Sequence, residues 1–269
     1  MDLAWVSGYR PAADRRDLAL APGERLLAGG TWLFSEPQRD VTGLVDLTAM
    51  GWAPWEQLPG GGLRLAATCT VAQLQQAPWP APELARQCAD ALLMSTKVAA
   101  AATVGGNLCL GLPAGAVTAL TAALAGEAVL WAPGGAQRRV PVAEFVRGPQ
   151  LVDLRPGEVL RAVDLPGAAL AAPTALRRIS LTAHGRTAAL VIGRRDPDGL
   201  VLTLTGSVPH PVVVALPPAP AEPAVRRAVA AAGNAAGWFD DVHGAPDWRA
   251  AQTGRLAVEV CAELAGGAA

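Results

Sequence analysis

The chain has 269 residues, 51% of them hydrophobic, and a formal net charge of −1 at pH 7. This length and composition predict a globular protein with a substantial core, divided into two or three lobes. The chain has neither a basic stripe nor a block of like charges, which argues against nucleic-acid and anionic-membrane partners. Its longest uncharged stretch, 98–126, is interrupted by Gly105-Gly106-Asn107 and Pro113, so we expect no membrane span.

Targeting and redox signals favour a cytoplasmic protein with reduced thiols. The start, Met1-Asp2-Leu3, lacks the basic and apolar regions of a secretion signal. The four cysteines contain no Cys-x-x-Cys pair, which argues against a zinc or iron–sulfur site in this chain. We interpret them as small buried hydrophobes, except that Cys109 is expected near any ligand of the preceding glycines. They are Cys69, Cys88, Cys109 and Cys261.

The first 170 residues alternate short apolar runs with turn signals. The first fifty predict a small α/β lobe whose main strand is 25–28. A second, larger α+β lobe is predicted from a strand at 63–71 and a helix at 82–93. It continues with a helix at 116–125 and strands at 128–131, 139–142 and 159–165.

A change of pattern near residue 174 predicts a third lobe. Strands at 188–194 and 200–204 flank Asp196-Pro-Asp-Gly199, a turn signal that predicts a hairpin. The proline-rich stretch 209–223 is interpreted as a connector. Helices at 224–232 and 247–265 are expected to complete the fold.

Two double-glycine motifs carry the main functional signal. Ala28-Gly29-Gly30-Thr31 follows the apolar pair Leu26-Leu27, and Thr103-Val104-Gly105-Gly106-Asn107 follows an alanine-rich run. A Gly-Gly pair lets the backbone adopt positive φ and approach a ligand, so that successive N–H groups converge on a phosphate. Most such pairs are simple turns, but two of them predict a site for a diphosphate.

The segments around these motifs resemble a known family in order and spacing. They are 25–33, 44–47, 63–71, 103–108, 113–115, 139–145, 157–160, 163–166 and 247–249. Together they resemble the FAD-binding subunit of the molybdenum hydroxylases, the family of xanthine dehydrogenase, aldehyde oxidoreductase and aerobic carbon monoxide dehydrogenase. The resemblance covers nearly the whole chain.

The resemblance implies an α+β fold of the PCMH type, with two α/β lobes that bind FAD and a C-terminal domain of sheet and helix. The expected division is 1–55, 56–170 and 171–269. FAD would lie extended between the first two lobes, with glycine N–H groups holding its phosphates and Thr31, Thr103 and Asn107 adding side-chain hydrogen bonds. The implied cofactor-binding residues are Ala28, Gly29, Gly30, Thr31, Trp32, Thr103, Val104, Gly105, Gly106 and Asn107. Turn capping is the alternative role for the threonines.

Three positions depart from the family pattern. Ala116 stands where a carboxylate is usual, so one ligand contact would be missing. Trp32 replaces a small or acidic residue and would either pack on the flavin or fill the seam between lobes. The lysine of the third lobe that often touches the cofactor has no certain match, Arg177 and Arg178 being the nearest.

The chain lacks the parts of a self-sufficient acid–base enzyme. His184, His210 and His243 are isolated, and neither Gly-x-Ser-x-Gly nor His-Glu-x-x-His occurs. We therefore assign no catalytic residue and no metal ligand, because the flavin would carry the chemistry. The resemblance implies an oxidoreductase flavoprotein that passes electrons from iron–sulfur clusters to FAD and on to NAD, dioxygen or a quinone. Its implied partners are a large molybdopterin subunit and a small subunit with two-iron, two-sulfur clusters.

Two alternatives stay open at this point. One is a stand-alone FAD-dependent oxidoreductase acting on a small molecule, which the missing carboxylate at Ala116 favours. The other is a flavin-free scaffold. Flavin absorption of the purified chain separates the scaffold from the other two, and co-purification with larger subunits separates those two from each other.

Overall fold

The computed structural model describes residues 3–266. Met1 and Asp2, which belong to the segment where we expect no secretion signal, lie outside the described residues. The chain begins with a three-stranded parallel sheet in the order β1-β3-β2. Its strands are β1 (Gly8–Pro11), β2 (Glu24–Leu27) and β3 (Gly43–Asp46). The helical part of this predicted α/β lobe consists of 3₁₀ turns, Arg15–Leu18 and Leu47–Met50.

A five-stranded antiparallel sheet forms the centre of the molecule, in the order β4-β5-β10-β6-β7. Its strands are β4 (Trp55–Leu58), β5 (Gly62–Ala66), β6 (Glu127–Trp131), β7 (Gln137–Pro141) and β10 (Val159–Leu165). A short hairpin joins β8 (Val146–Gly148) to β9 (Leu151–Val152). The helices of this part are α1 (Val71–Leu74), α2 (Pro82–Ala91), α3 (Thr96–Ala99), α4 (Val104–Leu110), α5 (Ala116–Ala123), α6 (Val142–Phe145) and α7 (Gly167–Ala171).

The strand predicted at 63–71 is shorter than expected. It ends at Ala66, because Thr70 accepts the Gln73 N–H at 3.1 Å and caps a helix that begins at Val71. In contrast, the helix predicted at 82–93 is confirmed as α2. All eight residues of α5 are buried, so this helix belongs to the main core.

The C-terminal part is a four-stranded antiparallel sheet with two long helices. The strands are β11 (Thr174–Ile179), β12 (Ala189–Asp196), β13 (Gly199–Thr205) and β14 (Val212–Leu216), in that order, and the helices are α8 (Glu222–Ala236) and α9 (Pro246–Gly266). The hairpin predicted around Asp196-Pro-Asp-Gly199 is confirmed, with Asp196 paired to Gly199.

The interpretation of 209–223 as a connector is wrong over Val212–Leu216. This β-branched run pairs with β13, and the prolines lie on either side of it rather than within it. Leu190 and Ile192 of β12 join the core that contains α5, whereas α8 and α9 pack on residues of the opposite face.

Arg249 is a fully buried structural clamp on α9, with 1% of its surface exposed. Its guanidinium donates to the carbonyl oxygens of Gly244 and Ala188 at 2.8 and 2.9 Å, and also to Gly206 and Asp241. It thereby ties α9 to the end of the β12–β13 pair that lies opposite the hairpin turn.

Arg15 joins the first sheet region to the central sheet. Its guanidinium donates to the carbonyl oxygens of Gly135 and Ala132, at 2.8 and 2.9 Å, and to that of Ala136. The same group lies 4.7 Å from the ring centroid of Trp131. One side chain therefore fastens a 3₁₀ turn near the start of the chain to the turn between β6 and β7.

An aromatic contact extends this interface between the first sheet region and the central sheet. The rings of Trp52 and Trp131 meet edge to face at 5.5 Å, and the Arg161 guanidinium lies 4.3 Å from the Trp52 centroid. Burial lowers the pKa of Arg161, and Glu56 opposes this shift from 3.2 Å. Both tryptophans also pack against the buried apolar cluster that contains Val159. The joint is thus a packed interface with several cation–π contacts.

We expect Arg15→Gln to lower the free energy of unfolding by about 2–4 kcal/mol, since it removes charged hydrogen bonds and a cation–π contact. Arg16→Gln is the matched control, because the Arg16 side chain is 90% exposed and pairs with Asp14 of its own turn. Urea unfolding measures both. Equal stabilities of the two variants would contradict the proposed joint.

Glu24 gives the first sheet a predicted acid sensitivity. The Arg10 guanidinium, 2.8 Å from both Glu24 oxygens, and the Ala21 N–H lower the pKa of this carboxyl from 4.5 to about 2. The ionised Glu24 carboxyl therefore stabilises the fold fully above its ordinary pKa. This contribution to the free energy of unfolding is lost as the pH falls through the pKa of the folded state. The difference in unfolding temperature between wild type and Glu24→Gln should be constant near neutral pH and become smaller below about pH 4. A temperature difference that does not change with pH would contradict the ion pair.

Candidate dinucleotide-binding cleft

The two double-glycine motifs line one cleft of about 960 Å³. Of the ten residues predicted to bind the cofactor, nine line this cleft, and they come from the turn after β2 and from the start of α4. Val104 does not, because its side chain is fully buried in the core beneath α4. The structure therefore brings together two motifs that are about 75 residues apart in the sequence.

The first motif forms a turn with unused backbone donors. Gly30 has φ +66°, a conformation that favours glycine, and its carbonyl accepts the Phe34 N–H at 2.9 Å. Across residues 3–266, the N–H groups of 29–33 donate to no protein acceptor. A turn with successive free N–H groups provides the donors that an anion requires.

Gly29 is required for a different reason, close packing. A Cβ atom built on Gly29 would overlap the carbonyl of Ala101, just before the second motif. Any side chain here would push the turn away from the α4 region. The absence of a Cβ at residue 29 therefore holds the two walls of the cleft together.

The second motif is not the positive-φ loop that the sequence predicts. Thr103 caps α4, and Gly105 and Gly106 both lie in its first turn without positive φ. The Thr103 Oγ1 accepts the Gly106 N–H at 3.1 Å, so the turn-capping role expected as an alternative applies to this threonine. Helix capping explains the difference, because it satisfies donors that a loop would leave free.

The other N–H groups at the start of α4 are also paired within the protein. Val104 donates to the carbonyl of Cys69 and Gly105 to that of Ala67, both at 2.8 Å. Gly105 is glycine because a Cβ there would lie 2.8 Å from the Ala67 carbonyl oxygen. The backbone of this motif therefore offers an anion less than the sequence suggests.

Asn107 and Gly106 are the parts of the second motif that remain available to a ligand. The Asn107 Oδ1 accepts from the N–H and hydroxyl of Thr118, at 3.1 and 3.3 Å, and so caps α5. Its amide N–H groups have no acceptor among residues 3–266 and can donate to a ligand. Gly106 is exposed, and a Cβ there would meet Thr103 Oγ1 at 3.1 Å and extend the surface of the cleft.

The unpaired charges of the cleft are positive. Glu158 lines it but accepts from Arg138 at 2.8 and 2.6 Å, a contact that lowers the pKa of its carboxyl against the opposing effect of burial. Arg25 and Arg186 also line the cleft, and neither has a hydrogen-bond or ion-pair partner among the residues described. The resulting field suits an anionic ligand.

The three departures from the family pattern have separate outcomes. Ala116 is buried and does not line the cleft, whereas Trp32 is half-buried and does. Neither candidate for the third-lobe contact lines the cleft. Arg177 pairs with Glu263 at 2.6 Å, and Arg178 of β11 donates to the carbonyl of Gly185 in the loop after this strand. Arg186 lines the cleft instead, and no sequence pattern distinguishes it from its neighbours.

The cleft contains no evident acid–base or metal chemistry. Cys109 lines it, but burial raises the pKa of this thiol to about 12, so it stays protonated at neutral pH. None of the residues described around the cleft is a histidine, and the described part of the chain holds no group of metal-ligating side chains. Within residues 3–266, no helix is long and apolar enough to cross a membrane.

Comparison with known proteins gives a family and a fold. The sequence profile described as the FAD binding domain in molybdopterin dehydrogenase matches residues 13–168. No curated protein sequence matches the chain. Three structural matches have TM-scores of 0.81–0.82, and identities of 20–21% show likeness of fold alone.

The first of these is quinoline 2-oxidoreductase from Pseudomonas putida 86, with 20% identity, a TM-score of 0.81, and coverage of 100% of this chain and 99% of that chain. Carbon monoxide dehydrogenase from Hydrogenophaga pseudoflava, in a form without the Mo-pyranopterin moiety, shows 21% identity, a TM-score of 0.82, and coverage of 98% and 99%. Reconstituted CO dehydrogenase from Oligotropha carboxidovorans shows 20% identity, a TM-score of 0.82, and full coverage of both chains.

These matches confirm the predicted α+β fold, and the profile spans both glycine motifs and more than half of the sequence. The run of free N–H groups, the glycine packing and the positive field fit the diphosphate of FAD. The chain belongs to the family of FAD-binding domains of molybdopterin dehydrogenases, which are flavoproteins of oxidoreductases.

Proposed function

We propose that this chain is the electron-transferring FAD subunit of a molybdenum hydroxylase complex. The observation that supports this most is the turn at 29–33, whose residues line a cleft shared with the second glycine motif and whose N–H groups donate to no acceptor among the residues described. When bound, FAD supplies the redox chemistry, which is electron transfer from a partner's iron–sulfur clusters to NAD, dioxygen or a quinone.

The residues of the cleft bind and orient the cofactor. The N–H groups after Ala28, with the exposed Thr31 hydroxyl, hold one part of the diphosphate. The Asn107 amide and the open surface at Gly106 border the other part. Trp32, in the turn after β2, fills the seam between the first two lobes. We thus retain the predicted binding residues, except that Val104 acts only by supporting α4.

The surroundings of the cleft support a relay rather than an enzyme that activates a carbon centre itself. Glu158 is held by Arg138 and Cys109 is protonated, so neither of these two groups offers a ready proton acceptor. We therefore place substrate oxidation in a molybdopterin partner subunit. A second partner, with two-iron, two-sulfur clusters, passes electrons from that subunit to this chain. The chain itself divides into 1–55, 56–170 and 171–269 and works in the cytoplasm, consistent with its free cysteines.

The function is tested on the purified chain loaded with FAD. We expect about one FAD per chain and no bleaching of the flavin by purines or aldehydes in anaerobic stopped-flow spectra, because the cleft offers no acid–base pair. NADH is the positive probe for an accessible flavin. Rapid bleaching by a purine or aldehyde without a partner would contradict the relay and favour a stand-alone oxidoreductase, and failure to retain FAD would favour a flavin-free scaffold.

The two glycine motifs give distinct predictions. Gly29→Ala should lower both the stability of the FAD-free chain and its FAD affinity, because the new Cβ overlaps the Ala101 carbonyl and moves the turn. Loss of one charged hydrogen bond at about 1.5–3 kcal/mol weakens binding about ten- to a hundredfold. Flavin fluorescence titration and thermal unfolding measure the two effects.

Gly106→Ala should weaken FAD binding while leaving thermal stability nearly unchanged, since residue 106 is exposed and already helical. Gly254→Ala on α9 is the control for both variants, because its Cβ meets only Arg226 at 3.7 Å. If both Gly29→Ala and Gly106→Ala bound FAD with wild-type affinity, the two motifs would not be part of the binding site.

A further inference from the structure

We propose that strand β14 pairs with the β14 strand of a second copy of this chain, edge to edge and antiparallel. The C-terminal sheets of the two copies then form one continuous sheet. β14 is an outer strand that pairs with β13 on one side, and within residues 3–266 no backbone group of 212–216 makes a hydrogen bond outside the sheet. One row of its N–H and C=O groups is therefore available to another strand.

β14 lacks the features with which proteins protect such an edge. Charged side chains on an outer strand discourage its pairing with another chain. Among the residues described, β14 has the sequence Val-Val-Val-Ala-Leu, and 209–221 contains no Asp, Glu, Lys or Arg. The other outer strands of the sheets with three or more strands each carry a charged residue, namely Arg10 in β1, Glu24 in β2, Glu56 in β4, Arg138 in β7 and Arg177 in β11. This β-branched, uncharged edge is therefore the one most suited to strand pairing.

The side chains of β14 are complementary to a second copy of the same strand. Val214 and Leu216 are buried with α8 and α9, whereas Val213 and Ala215 are exposed on the other face. A two-fold axis through Val214 places Val213 of one copy opposite Ala215 of the other, so a larger side chain meets a smaller one. Because the strand carries no charge, the two copies meet without like-charge repulsion. The strand thus has the self-complementarity that a two-fold interface requires.

A cavity beside β14 has room for the segment that follows this strand in the second copy. It has a volume of about 1120 Å³, is lined mostly by apolar residues, and has 210–213 as part of its wall. In the register about Val214, residues 217–218 of one copy lie opposite 210–211 of the other. Both residues of 217–218 are exposed prolines, and their uncharged rings suit the apolar lining.

This interface and the dinucleotide-binding cleft occupy different surfaces. The cavity beside β14 includes Asp164 and Leu165, at the end of β10, whereas the cleft includes Glu158 and Val159, at its start. Among the residues described, none of 207–221 lines the cleft. The inference therefore does not depend on the proposed function, and a dimer formed through β14 can still bind the cofactor.

The test is the self-association of the full chain, measured by sedimentation equilibrium from about 1 to 100 μM. Wild type should be dimeric at the upper end of this range. Val213→Lys should weaken association about tenfold or more, because its charge loses hydration when the two edges pair. Val242→Lys is the matched control, since Val242 is 88% exposed and lies between α8 and α9, and it should associate as wild type does.

A charge swap tests the register. Ala215→Glu alone should also weaken association. The double variant with Val213→Lys and Ala215→Glu should associate more tightly than either single variant, because opposite charges then face each other across the two-fold axis. Thermal unfolding of each variant verifies the fold, which both positions tolerate because they are exposed.

Three results would overturn the proposal. A wild-type chain that stays monomeric over the whole range would leave the edge to a segment of another protein. A dimer that Val213→Lys does not weaken would use a different surface. A double variant as weak as the single variants would exclude the pairing of residue 213 with residue 215.

Discussion

The cleft depends on one backbone contact, the packing of Gly29 against the carbonyl of Ala101. It brings a turn of the parallel sheet directly onto the segment before α4, although the two lie in separate sheet regions. Arg15 and the Trp52–Trp131 pair fix the same two regions from another side. Because no side chain separates the two walls at residue 29, residues of both motifs line one site.

The two glycine motifs have different physical roles despite their similar sequences. The N–H groups of the first have no acceptor in the described part of the chain and are available as donors to a ligand. The second uses its N–H groups within the protein, through the Thr103 cap and the contacts to Ala67 and Cys69, and supplies a rigid surface. We therefore propose that the first turn makes much of the hydrogen bonding to a diphosphate, with Asn107 and the arginines of the cleft adding to it.

Local signals in the sequence predict much of this fold. The turn at Asp196–Gly199, the helix after Pro82 and the glycine motifs are encoded by neighbouring residues, and the structure contains all of them. Tertiary contacts decide the rest. Capping makes α4 a helix where Gly-Gly predicts a loop, and pairing with β13 makes a strand of 212–216. The loop after β11 places Arg186 at the cleft, whereas Arg177 pairs with Glu263.

Hydrogen exchange of individual backbone amides tests the central claim most directly. The account predicts that the amides of 29–33 exchange rapidly without FAD and become protected when FAD is added, because they gain phosphate acceptors. The amides of Val104 and Gly105 should be protected in both states. Unchanged exchange at 29–33 on FAD binding, with new protection confined to the start of α4, would contradict the account.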